Sequence, residues 1–108
     1  MNWDHLVSYF FGGMLLANAV PHLVSGVTGR PFQTPFAKPP GKGLSSSTVN
    51  VLWGFFNLVI AYMLLLRVGQ FDVRSTSHIL VTAMGAFLIS LFGARNFGQF
   101  HGGNRPTG

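Results

Sequence analysis

Val49–Leu66 reads VNVLWGFFNLVIAYMLLL and lies between Lys42 and Arg67 without a single Asp, Glu, Lys or Arg. A charge-free apolar run of about 20 residues is what a helix needs to cross roughly 30 Å of hydrocarbon. Two more such gaps flank it, residues 5–29 between Asp4 and Arg30, and residues 75–94 between Arg74 and Arg95. Leu6–Leu16 and Leu58–Leu66 are apolar on nearly every side, as expected where lipid replaces water around a helix. Charged residues make up 8% of the chain, against roughly 25% in soluble domains. The reading is an all-α integral membrane protein.

Residues 1–108 are expected to form one membrane domain, with transmembrane helices at about 3–26, 49–68 and 77–97. Asn2 or Asp4 is expected to cap the first helix, with Trp3 at the interface. Pro21 frees the carbonyl of Ala17 from its usual helical partner, so that turn should face protein or water. Ser45-Ser46-Ser47-Thr48 offers caps for the second helix and Ser75-Thr76-Ser77 for the third. The short connection Arg67–Arg74 predicts that helices two and three pair as an antiparallel hairpin. Residues 28–48 form a long loop in which Pro31, Pro35, Pro39 and Pro40 forbid a regular helix. Phe32 and Phe36 favour an ordered loop dipping into the membrane interface, with disorder as the alternative. The Gly-rich tail, residues 98–108, is expected to fray.

Charge placement sets the expected orientation. Arg30, Lys38, Lys42, Arg95 and Arg105 fall on one side of three crossings, while only Arg67 and Arg74, offset by Asp4 and Asp72, fall on the other. That bias predicts a cytoplasmic loop and C-terminus with the N-terminus outside, as in a bacterial inner membrane. It also accounts for the net charge of +5 without nucleic acid. Leu6–Leu16 followed by Ala17-Asn18-Ala19 resembles a signal-peptide core, but the leader has no Lys or Arg and carries Asp4, so the segment is read as a retained span.

Polar residues inside spans are costly and usually turn inward. Asn18, His22 and Ser25 share one face of the first helix, and Asn50, Gly54 and Asn57 one face of the second. Asn18 and Asn57 each lie roughly 12 Å from the loop end of their helices. Ser90 lies at a similar depth, and Asn50, His22, Arg95 and Asn96 lie nearer the end. These residues suggest a polar pocket formed by Asn18, His22, Ser25, Asn50, Asn57, Ser90 and Asn96. Arg30, Phe32, Phe36, Lys38 and Lys42 would cover it or dock a partner. The competing reading is interhelical hydrogen bonding alone. Thr82, Ala86, Ser90 and Ala94, four apart, are expected to mark close helix packing.

Catalytic readings find little support. The chain has no cysteine, and its only acidic side chains, Asp4 and Asp72, lie outside the charge-free segments, so no Ser-His-acid set can form within the membrane. No HxxxH or HExxH spacing exists for a metal. Gly12-Gly13, Gly41-x-Gly43 and Gly102-Gly103 lack the strand–turn–helix setting of a phosphate loop. No cofactor is expected, although His5 with His78, or His22 with His101, lie at matching levels where two imidazoles could ligate haem.

Three function classes compete. The favoured one is a small accessory or assembly subunit working with copies of itself or a larger membrane partner. The second is an oligomeric channel or transporter protomer for a small solute, and the third a haem- or quinone-associated redox protein. A dual-topology exporter would need a weak Lys/Arg bias and normally a carboxylate inside the membrane, and this chain has neither.

Overall fold

The computed structural model describes residues 3–105. Helix α1 spans Trp3–Val27, α2 Ser47–Tyr62 and α3 Thr76–His101. A π-helical turn, Met63–Val68, extends α2. Three helical segments, His5–Val27, Ser47–Val68 and Thr76–His101, are long and apolar enough to cross a membrane. The capping role expected of Asn2 or Asp4 falls outside the described residues and side chains. Trp3 is exposed.

Local chemistry explains the starts of α2 and α3. The Ser46 hydroxyl accepts from the Val49 amide at 3.1 Å and the Ser75 hydroxyl from the His78 amide at 3.3 Å, each satisfying an otherwise free N–H of a first turn. The end of α3 differs from expectation. The helix runs past Gly98 to His101 and stops at Gly102, whose φ of 73° only glycine adopts at little cost. The last turn persists because His101 is held from outside the helix: its Nε2 lies 2.9 Å from Gln33 Oε1, and its ring stacks on Phe32 at 5.3 Å.

The helices form a layer with α1 in the middle. α1 packs along both α2 and α3, whereas α2 and α3 hardly touch. This corrects the expected α2–α3 hairpin. The reason is a pair of glycine contacts that draw α1 and α3 together backbone to backbone. A Cβ on Gly13 would stand 2.0 Å from the Thr82 carbonyl oxygen, and one on Gly85 would stand 2.0 Å from that of Phe10. On the other flank, Gly54 receives Leu23, and Gly26 sits against Ser47 and Val51. Small residues that permit such approach are how helices associate when lipid supplies no hydrophobic drive.

The close α1–α3 seam is therefore Gly13, Thr82 and Gly85 rather than the expected ladder. Ser90 and Ala94 are exposed, and Ser90 turns its hydroxyl onto its own helix, 2.7 Å from the Ala86 carbonyl. The fourfold spacing in the sequence drifts around α3 because 3.6 residues make a turn.

At the end opposite the loop, α1 closes the α2–α3 connection. The Ser8 hydroxyl donates to the Leu64 carbonyl, which also accepts from the Gly69 amide at 3.1 Å. The buried Tyr9 hydroxyl accepts from the Gln70 amide at 3.0 Å. Tyr9→Phe is expected to lower stability by about 1 kcal/mol, the net worth of one such bond. The fall should register as a lower thermal midpoint in detergent micelles, and an unchanged midpoint would show that Gln70 finds another acceptor.

Candidate functional site

Residues 28–46 fold into a hydrogen-bonded cover over the other end of the layer. β1 (Phe32–Gln33) pairs antiparallel with β2 (Leu44–Ser45), Phe32 opposite Ser45 and Gln33 opposite Leu44. Between them the Thr34 carbonyl accepts from Ala37 and Gly41 at 3.3 and 2.9 Å, and the Pro39 carbonyl from Lys42 and Gly43 at 3.1 and 2.8 Å. The Thr34 and Ser45 hydroxyls meet at 2.5 Å. With its internal amides paired in this way, a Pro-rich segment keeps one shape without being a helix.

Asn50 fastens this cover to the helices. Its side chain is completely buried, and Nδ2 donates to the carbonyls of Phe32, Ser45 and Ser46 at 3.2, 3.2 and 3.0 Å. Three carbonyls around Nδ2 fix which way the amide points, so Oδ1 faces His22 Nδ1 at 2.7 Å. An amide oxygen only accepts, and therefore His22 Nδ1 carries the proton and donates. In the neutral ring the other nitrogen, Nε2, is left as an acceptor, and it has no hydrogen-bond partner among the described residues.

His22 lies on the wall of a cleft of about 440 Å³ that opens where α2 and α3 diverge. α1 contributes Asn18 and His22, α2 contributes Trp53, and α3 contributes Phe92, Asn96 and Phe97. Gln33–Pro35 and Pro40–Lys42 form its roof. The Trp53 indole N–H is buried without an acceptor among the described residues. Aromatic walls, a few amides, one imidazole and Lys42 compose the lining, and no acidic side chain of the described residues is part of it. A second hollow of about 400 Å³ adjoins it between α1 and α3, shares Asn18 and Phe97, and includes Ala17 and Pro21.

The residues anticipated as a pocket divide into three groups. Asn18, His22 and Asn96 line the main cleft together with Lys42. Asn50 and Asn57 are buried behind it as braces: Asn57 Oδ1 accepts from Asn18 Nδ2 at 3.1 Å, and Asn57 Nδ2 donates to the Trp53 carbonyl at 2.8 Å. Ser25 and Ser90 are not part of the main cleft. The Ser25 carbonyl receives the Arg30 amide at 2.8 Å, and Ser90 borders the second hollow.

The cover residues also divide. Arg30 and Lys38 are exposed and stand apart from the cleft. Phe36 packs edge-on against Trp53 at 5.0 Å, outside it. Phe32 wedges against His22, Phe97 and His101 at 5.5, 4.7 and 5.3 Å. That ring contacts both imidazoles of the His22 and His101 pair. Tyr9 similarly contacts both His5 and His78, at 6.4 and 4.3 Å.

Sequence reasoning missed Gln33, Thr34, Trp53 and Phe97. Trp53 had a signal, lying three residues beyond Asn50 and four before Asn57 on the same helix. Gln33 and Thr34 had none, because an irregular loop carries no periodicity. Compared with protein-family models, curated proteins and solved structures, the chain matches none.

Proposed function

We propose that this is a small polytopic membrane protein whose roofed cleft binds a small amphipathic molecule drawn from the bilayer interface. The observation that carries this reading is His22: Asn50 holds its Nδ1, and Nε2 is left unused on the cleft wall. Binding fits better than catalysis, since no carboxylate accompanies the imidazole. Aromatic walls suit an apolar body, and Lys42 with the amides suits an anionic or hydrogen-bonding head. In this reading the loop and C-terminus face the cytoplasm of a bacterial cell, following the basic residues gathered there.

The protein acts as a subunit, with copies of itself or with a larger membrane partner. Support comes from α3, whose main helical partner is α1 and which buries 6% of its apolar span within the chain. A solute channel is the weaker alternative, because Asn18 and Asn57 bond to each other rather than standing open to a path.

Trp53 provides the test. In a Trp3→Phe background it is the chain's only tryptophan, so quenching of its emission by a brominated long-chain alcohol, whose hydroxyl can donate to Nε2, reports occupancy of the cleft. Saturable quenching is expected, with affinity falling roughly five- to tenfold in His22→Ala, the loss of one hydrogen bond between neutral groups. Quenching that rises linearly without saturation, or that is equal in both proteins, would reject the cleft as a binding site.

A further inference from the structure

A second, separate cleft lies on the opposite side of the α3 terminus. Arg95, Gly98, Gln99 and Gly102 recur at i, i+3, i+4 and i+7, one face of α3, turned away from Asn96 and Phe97. The chain after Gly102 folds back over that face. The Gly103 amide donates to the Gly98 carbonyl at 2.9 Å, the Asn104 side-chain amide to the Ala94 carbonyl at 3.4 Å, and the Arg105 amide to the Gly102 carbonyl at 3.1 Å. The result is a hollow of about 290 Å³ lined by Arg95, Gln99, Asn104 and Arg105 with Gly98 and Gly102.

Arg95 and Arg105, ten residues apart in the chain, thus line one hollow. The chain's acidic side chains are Asp4 and Asp72. Both lie at the far end, Asp4 in the first turn of α1 and Asp72 just before α3. The two helices run side by side in the same direction, Tyr9 meeting His78 at one end and His22 meeting Phe97 at the other. No acidic side chain among the described residues lines the hollow.

We infer that this hollow binds a phosphate group, and that its source is the headgroup of an anionic phospholipid. Arginine pairs offer forked N–H donors matched to phosphate oxygens, and Gln99 and Asn104 supply neutral amides beside them. Depth selects the lipid. Arg95 lies roughly 9 Å before the end of α3, and Leu91 and Phe92 just before it are exposed and apolar. Its side chain reaches towards the interface, at the level of lipid phosphates.

The full chain in mixed micelles of phosphatidylglycerol and phosphatidylcholine, examined by native mass spectrometry, tests the inference. The wild type should retain phosphatidylglycerol over phosphatidylcholine by roughly tenfold or more, given the attraction of each basic side chain for anionic headgroups. The preference should disappear in the Arg95→Gln/Arg105→Gln double variant and persist in Arg67→Gln/Arg74→Gln, which alters the other end. Asn104→Ala, which frees the folded-back tail but leaves both charges, should weaken it as well. Equal retention in wild type and Arg95→Gln/Arg105→Gln would overturn the site. Displacement of the lipid by millimolar inorganic phosphate would overturn the lipid assignment in favour of a soluble phosphate compound.

Discussion

Gly85→Leu should separate α1 from α3 and lower the stability of the protein markedly. Even the first added carbon would lie 2.0 Å from the Phe10 carbonyl oxygen, with the Met14 amide nitrogen at 3.3 Å. The obstacle is backbone, which cannot rotate aside as a side chain does, so the helices must move apart. Overpacking of this kind typically costs about 1–3 kcal/mol and more where backbone must shift. Parting the helices also strips the reciprocal contact of Gly13 with Thr82. Gly93→Ala is the matched control on the same helix, since its added carbon meets only the Phe97 ring at 3.6 Å, an ordinary contact. Thermal unfolding in detergent should show a large fall for Gly85→Leu and almost none for Gly93→Ala. Equal midpoints for the two would mean that the α1–α3 seam does not depend on glycine.

Asn50→Ala is expected to release the cover while leaving the three helices in place. It removes the donor shared by the Phe32, Ser45 and Ser46 carbonyls and the acceptor for His22 Nδ1–H. The Ser46 carbonyl keeps the Asn50 main-chain amide at 3.0 Å, so the greatest losses fall on Phe32, Ser45 and His22. Buried groups left unpaired cost about 1–3 kcal/mol each, which places the total at roughly 3 kcal/mol or above. Asn57→Ala should cost nearer 1 kcal/mol, because its main loss is a single bond from Asn18. Limited trypsin digestion distinguishes the two. Cleavage after Lys42, slow in the wild type where the Lys42 and Gly43 amides are tied to Pro39, should become rapid in Asn50→Ala and stay slow in Asn57→Ala. Protection of Lys42 in both variants would show that the cover holds itself without Asn50.

Half of the candidate site was legible before any coordinates. Asn18 and His22 share a helical face, as do Asn50 and Asn57, and polarity inside a charge-free span draws attention at once. Their division of labour was not legible. That Asn50 braces the cover and holds His22 Nδ1 depends on carbonyls brought in by the loop. Ser90 was misread for a related reason: a hydroxyl on a helix can satisfy itself on the carbonyl four residues back. Its polarity then says nothing about which way the helix faces.

Sequence alone determined that three helices are long and apolar enough to span a bilayer, roughly where each begins and ends, and which end gathers the positive charge. Those properties follow from local composition, because charge-free length and capping hydroxyls act within a few turns of one helix. Tertiary structure alone decided that α1 lies between α2 and α3, that α3 continues to His101, and that the loop closes over a cleft. Each of these rests on contacts between residues distant in the chain, such as Gly85 against Phe10 and His101 against Gln33. No periodicity within one segment encodes which partner it will meet.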